Sequence, residues 1–493
     1  MFSTPKNKAT PRRAAAGIVH RGGKVLLARR NDAIPFMGGH HVFPGGAMDK
    51  TDDPAQVIGA KNDASGKSIF AVTREIFEET GLLLARGAAP EPEVLRAARR
   101  ALHAGEITFA GILDRHGLRI HAADFTPAGE WITPAFSPMR FHTDYYACAY
   151  SGDFPGEPLG PEGEIVIVEW MTPAEARRRW HVHQIKLSTP VAFILRHLAV
   201  LPMNEALPWL CKATGRHPDM PNLFETRPGI TIIPVRTNTL PPAAYVNCVV
   251  LGEGELYVVD PGVADAWERQ HLDDVLDHLL GLGHHVGAVL LTHPHGDHVG
   301  ATEFFRAKYH APVWAHADAA KELPFPVDRL LNDGEVIPIE GEPEWRVRCL
   351  HTPGHHPGHM CYLEETTHTL LCGDMMANPG TILISPDYGG DMNAYLQSLE
   401  RLLQEDIEFT VPAHGWPTFR ESGKDHIRRT LEYRLEREER IKTALASGIQ
   451  TMQELVERVY DDTPRTAWPL AEHQLRAHLI RLGIPFSAGQ FIL

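Results

Sequence analysis

Leu290–Gly300 reads LLTHPHGDHVG: the apolar run Gly287–Leu291 leads straight into His293-x-His295-x-Asp297-His298. Alternate residues leaving a strand point to the same side, so His293 and His295 can converge on one cation. Asp297 and His298 fall at the turn that follows, ahead of a helix expected to begin near Val299, and can face a second cation. Four metal-capable side chains within six residues are costly to crowd together without a positive ion to share. The plain alternative is a polar loop in a chain that holds 29 histidines.

Three more candidates in the same local setting argue against that alternative. Val347–His355 is a strand followed by Thr352-Pro353-Gly354 and then His355. Thr369–Asp374 is a strand ending in Gly373-Asp374, and Phe409–His414 one ending in Pro412-Ala413-His414-Gly415. Each candidate ligand is expected just past the carboxyl end of a strand, where α/β sheets gather their sites. Short apolar strands (Glu255–Val259, Val286–Leu291, Ala311–Trp314, Arg346–Leu350) alternate with turns and helix-like stretches, which predicts a layered α/β domain over 229–424.

The motifs HxHxDH, TPGH, GD and PAHG, in this order, resemble the metallo-β-lactamase fold superfamily. The resemblance implies an αββα sandwich and two metal ions. His293, His295 and His355 would hold one ion; Asp297, His298 and His414 the other; Asp374 would bridge them. His356 and His359 have no ligand role in that pattern. Nitrogen and carboxylate ligands without thiolate suit zinc, with iron and manganese as alternatives. A water between two zinc ions would titrate near a pKa on the order of 7 and attack as hydroxide. The implied reaction is hydrolysis of an ester, thioester, lactam or phosphodiester, with Asp297 among the catalytic residues.

Residues 425–447 are charged and helical, and Met452–Tyr460 and Leu470–Leu482 also read as helices, giving a small helical cap over 425–493. With Asp391–Leu402 and Tyr433–Ile441, this cap resembles that of the β-lactamase-like protein 2 branch, where a winged-helix-like domain follows the catalytic one. That branch is associated with endoribonuclease activity, so RNA is a candidate partner. A cap that only stabilises the domain or a dimer is the plainer reading.

The first half, 11–206, opens with strands at Ala14–His20 and Lys24–Ala28, adds another at Ile165–Trp170, and carries a helix at Ile69–Thr80 stopped by Gly81. On that helix Glu75, Glu78 and Glu79 share a face, and Arg74 can reach Glu78. A solvated acidic face explains this, but so does a magnesium site, because hard oxygen ligands suit that ion. Upstream lies the tight turn Val42-Phe43-Pro44-Gly45-Gly46.

This turn, followed by R-E-x-x-E-E-x-G, resembles the Nudix box of hydrolases that cleave nucleoside diphosphates linked to another group, which implies an α/β/α sandwich. Glu75, Glu78 and Glu79 would be catalytic and hold magnesium or manganese. The sequence departs from the usual box: 27 residues separate Gly46 from Arg74, and Asp52 stands at the position of the upstream Glu. The longer interval, Leu26-Leu27-Ala28-Arg29 and Phe141-His142-Thr143 are similar to the coenzyme A diphosphatase branch. Pro35 stands where that branch has an Arg ahead of Gly39.

The stretch 207–228, rich in Pro, Gly, Asn and Asp, reads as a linker. The net charge of −14 argues against broad non-specific nucleic-acid binding. Six cysteines with no C-x-x-C pair read as buried, reduced thiols, so the cytoplasm is the expected location. No apolar run approaches a membrane span. The expected activity is a metal-dependent hydrolase with two sites, acting on an acyl-thioester, a nucleoside diphosphate derivative or coenzyme A. The alternative is an RNA-processing endoribonuclease whose Nudix-like half only binds a nucleotide. Oligomeric state is left open.

Overall fold

The chain divides into two compact units, one ending at Glu225 and the other beginning at Thr226. The computed structural model describes residues 10–491, except 89, 134–136, 138, 213–222, 242, 264, 342–343, 420 and 488–489. The expected linker is corrected at both ends. Met203–Lys212 is a helix and Phe224–Arg227 a strand, while 213–222 lies outside the described residues. Ala206, Leu207 and Leu210 are buried, an apolar face that outweighs the turn-forming composition around it.

In the first unit, Arg12–Arg21 lies at the heart of a mixed sheet. It runs parallel to Phe141–Ala149 and antiparallel to Lys24–Arg30 and Gly45–Ala47. The helix Asp63–Thr80 packs across this strand. Gly17 permits the approach: a Cβ there would sit 2.5 Å from Ile76 Cδ1. Asn62 and Ser65 cap the helix reciprocally, a device worth about 1 kcal/mol, and Gly81 ends it at φ 74°. Phe70, Ile76 and Phe77 turn inward, leaving the glutamates on the half-buried side. Part of the long interval after Gly46 makes a strand of its own, Val57–Ile58, paired in parallel with Ile120–His121. The interval therefore leaves the glycine turn and the helix in register with each other.

The second unit is an αββα sandwich. In its first sheet Ile230–Arg236, Tyr245–Leu251 and Glu255–Val259 are antiparallel; His285–Leu290, Val313–His316 and Arg329–Leu331 continue it in parallel. The second sheet runs Val336–Ile339, Trp345–His351, Met360–Glu364, Thr369–Asn378 and Phe409–Gly415. Tyr245–Leu251 meets Phe409–Gly415 where the sheets pack. Helices Ala266–Gly281 and Thr302–Tyr309 lie on the first sheet; Gly423–Ala446 lies on the second, where residues of Met392–Leu402 join its core.

The helix Gly423–Ala446 joins two cores, with Ile427 in the sandwich and Ile441 in the cap. Met452–Val459 and Trp468–Arg481 complete the cap around Leu455, Val459, Leu475 and Leu479. Phe486–Ser487 pairs with Gln490–Phe491 beside these helices, in keeping with the winged-helix-like reading. All six cysteines are free; five are buried, but Cys211 is exposed on its helix, against expectation. Among the described residues no helix is long and apolar enough to cross a membrane.

Candidate metal centre

The strand His285–Leu290 delivers Thr292 and His293 into the interior. The helix that follows starts earlier than expected. It spans Gly296–Val299, so Asp297 and His298 occupy its first turn. The chain is pinned there by Gly262, where a Cβ would lie 1.7 Å from the Asp297 carbonyl oxygen. Only a glycine lets the two backbones touch.

Asp374 and His414 lie within the strands Thr369–Asn378 and Phe409–Gly415, not beyond them as the sequence suggested. The pairing of these strands shifts register between Leu371 and Gly373 and again between Gly373 and Ala377. These bulges turn Asp374 out of the ladder. Gly373 sits at φ 48°, with His359 Nε2 2.5 Å from where its Cβ would be. In that space His359 accepts the Asp374 backbone N–H at 2.9 Å while its Nδ1 bonds Thr352 Oγ1. His359 thus holds a candidate ligand in place, and His356 turns away to Glu322 at 3.1 Å.

Six of the seven residues come together as two triads. The first is His293, His295 and His355; the second is Asp297, His298 and His414. His293 Nε2 and His355 Nε2 each lie 2.9 Å from His295 Nδ1. Asp374 stands between the triads, with Oδ2 3.5 Å from His355 Nε2 and Oδ1 3.6 and 3.4 Å from His298 and His414. Asp297 lies 3.4 Å from His414 Nε2.

The outer nitrogens of the rings are already taken. Thr292 Oγ1 donates to Asp260 Oδ2 at 2.6 Å and so accepts from His293 Nδ1 at 3.0 Å. His298 Nδ1 donates to Asp260 Oδ2, His355 Nδ1 to the Leu383 carbonyl and His414 Nδ1 to the Tyr245 carbonyl, at 2.8–2.9 Å. These tautomers, assigned from the partners, leave bare lone pairs on all four Nε2 atoms. His295 has one ring proton to offer two of them. His298 Nε2, His414 Nε2 and Asp374 Oδ1 are buried with no hydrogen-bond partner. Converging lone pairs with oriented outer nitrogens are what a divalent cation requires, and the N/O donor set fits zinc.

The local field agrees. Burial pulls the His295 imidazole down to about 4, with the neighbouring His355 adding to the effect. Burial also disfavours charge on His298, yet Asp374, Asp260 and Asp297 outweigh it and push that ring up to about 10, so the carboxylates favour a positive charge at its Nε2, whether a proton or a cation in its place. Burial would raise the Asp297 carboxyl, but the His298 ring holds it well below the carboxylate range. Asp260 escaped the sequence reading. Its only local mark is the Asp-Pro-Gly that ends the strand Glu255–Val259.

In the first unit Gly45 N–H donates to Glu79 Oε2 at 2.9 Å, and a Cβ on Gly46 would fall 2.5 Å from the Glu75 carboxyl carbon. Arg74 Nε bonds Asp52 Oδ1 at 2.7 Å, and its Nη1 reaches Glu75 at 2.9 Å and Glu78 at 3.3 Å. Asp52, fully buried at its side chain, therefore positions the arginine that aligns two glutamates. Burial raises Glu75 to about 7 and Glu79 well above its usual value. The three glutamates do not bring oxygens within 4.8 Å of one another as the histidine triads do.

Residues 241–414 match the Metallo-beta-lactamase superfamily profile, and 451–483 match the Beta-lactamase associated winged helix domain. An atrochrysone carboxyl ACP thioesterase of Aspergillus fumigatus is 29% identical over 234 residues, 44% of this chain and 69% of the relative. A beta-lactamase-like protein 2 homolog of Drosophila melanogaster is 29% identical over 252 residues, 48% of this chain and 81% of the relative. A metallo-beta-lactamase family protein from Thermus thermophilus is 23% identical with a TM-score of 0.45, covering 54% of this chain and 99% of its own. A NUDIX hydrolase from Alicyclobacillus acidocaldarius is 24% identical with a TM-score of 0.36, covering 40% and 96%. The second unit carries a metallo-β-lactamase fold followed by its associated winged helix.

Proposed function

We propose that the second unit is a metal-dependent hydrolase of acyl esters, with thioesters as its first substrate class. The observation that carries this reading is the pair of triads with Asp374 between them. His293, His295 and His355 would hold one zinc ion, and Asp297, His298 and His414 the other. Bound zinc would supply Lewis acidity and bring a water's pKa toward neutrality. The chain's own part is to fix every donor beforehand. Asp297, held anionic, presents its carboxylate oxygens to orient a water. The relatives named thioesterases favour the thioester over the other bonds this fold can cleave.

The endoribonuclease alternative draws little support from the cap. Arg437 and Arg440 are paired with Asp462, Arg440 also with Asp461, Arg476 with Asp387 and Arg481 with Glu438, which leaves these cations balanced instead of free for phosphates.

For the first unit the proposal is a magnesium- or manganese-dependent Nudix diphosphatase using Glu75, Glu78 and Glu79, supported by the contacts of Gly45, Arg74 and Asp52. Acyl-coenzyme A offers a thioester to one site and a diphosphate to the other. The test is metal analysis of the purified chain, followed by acyl-coenzyme A turnover. His295→Ala with Asp297→Ala should remove bound zinc and thioester cleavage while diphosphate cleavage persists; Glu78→Gln should do the reverse. Thioester cleavage that survives loss of the zinc would overturn the first assignment.

A further inference from the structure

We propose that Asn247 is a positioning residue for the second ion, fixing His414 from the opposite sheet; the proposal takes the two-triad metal reading as its premise. Asn247 lies on the strand Tyr245–Leu251 of the first sheet and is 5% exposed. Its Nδ2 donates to the carbonyls of Pro412 and Gly415, each at 2.8 Å. His414 lies between these two residues in the chain, on a strand of the second sheet. Both partners can only accept, so the amide orientation follows from them and both of its N–H bonds are spent.

The backbone there needs such a donor. Phe409–Gly415 is the edge strand of its sheet, so carbonyls on its outer side meet no neighbouring strand of that sheet. Asn247 satisfies two of them. Carbonyls three residues apart point to opposite sides of a regular strand. Gly415, at φ 93°, bends the chain so that its carbonyl turns back to the same amide. The bend is close-packed: a Cβ on Gly415 would lie 2.0 Å from the Asn378 carbonyl oxygen.

Two residues earlier on the Asn247 strand, the Tyr245 carbonyl accepts from His414 Nδ1 at 2.8 Å. The ring is thus held by the backbone of this strand, and the chain that carries the ring by the Asn247 side chain. The turn before the strand reaches another member of the same triad. Thr237 Oγ1 donates to the Asp297 carbonyl at 3.3 Å, and the Thr239 hydroxyl to the Asp297 carboxylate. The outer nitrogens of His293 and His355 are held elsewhere, by Thr292 and the Leu383 carbonyl. The hairpin of Ile230–Arg236 and Tyr245–Leu251 therefore acts on one triad and not on the other.

Zinc competition with a chromophoric chelator on the full chain tests this, with His414→Gln and His355→Gln marking which affinity class belongs to which triad. Asn247→Leu keeps the branched shape and removes both donors; Asn247→Thr keeps a hydroxyl for one carbonyl. Asn247→Leu should weaken the class that His414→Gln affects by at least about tenfold and leave the other within about twofold. Asn247→Thr should fall between it and the wild type. Bare carbonyls lower the melting temperature whether or not the residue positions an ion, so selectivity between the classes decides. Equal weakening of both classes, weakening of the class that His355→Gln affects, or no change would each overturn the proposal. Asn247→Thr alone decides if Asn247→Leu does not fold. A wild-type chain that binds no zinc would overturn the metal reading itself, a result distinct from every outcome of the Asn247 series.

Discussion

Arg434 donates from Nη2 to the Ile382 carbonyl at 2.5 Å, one residue ahead of the Leu383 carbonyl that orients His355. Arg434 lies on the helix that leads into the winged-helix cap and is 1% exposed. The same segment is held twice more by the cap helix Trp468–Arg481. His473 bonds Ser385 at 3.0 Å, and Arg476 bonds Asp387 at 2.7 Å. The cap thereby braces the loop that fixes one candidate ligand. Partners of this outer kind typically contribute about 10- to 100-fold to metal affinity.

Arg434→Met should therefore weaken zinc at the His293–His295–His355 triad by about tenfold. Chelator competition should show two zinc ions separating into a weak and a tight class. If both ions weaken equally, the brace acts on the whole fold and not on His355.

Asp260→Asn should act on the other triad. Asp260 accepts from His298 Nδ1 and from both the backbone and hydroxyl of Thr292. An amide can present only one acceptor oxygen, so the His298 tautomer is no longer fixed. The expected loss is about 10- to 100-fold in metal affinity, read by competition with a chromophoric chelator.

Gly46→Ala places a methyl where the Glu75 carboxylate now lies, 2.5–2.6 Å from its atoms. The flexible carboxylate can swing away, so the melting temperature should change little while diphosphate hydrolysis falls by at least about tenfold. Gly160→Ala, with nothing within 4 Å, is the control and should leave both unchanged.

The cap should loosen in acid. Glu438 lies 3.5 Å from His478 Nδ1 and 3.0 Å from Arg481 Nε, and these partners hold its carboxyl at about 2 instead of 4.5. A depressed carboxylate stabilises the fold above its unfolded pKa and loses that contribution as pH falls through its folded one. Between pH 4.5 and 2 the cap should lose roughly 1–2 kcal/mol after solvent screening. Hydrogen exchange over 441–479 should accelerate in that window, and Glu438→Gln should flatten the dependence.

Some of this architecture was readable locally. The strands Lys24–Arg30 and Glu255–Val259 declare themselves as short apolar runs, and the Gly81 stop follows from the one residue type that adopts a positive φ without cost. The helix Met203–Lys212 did not, because Pro208 lies inside it and turn-rich residues follow it. Its apolar side acquires meaning only once it is packed.

The amino-acid order alone marked which side chains are candidates for a cation and tied each to a strand, since both are properties of a few adjacent residues; that Asp374 and His414 lie inside their strands was not among them. Only the tertiary structure decided how those donors point. His414 is oriented by the Tyr245 carbonyl, His355 by that of Leu383, and Asp374 by paired bulges. Every residue has a carbonyl, so nothing in the letters marks the few that a distant imidazole will meet; folding the two sheets together selects them.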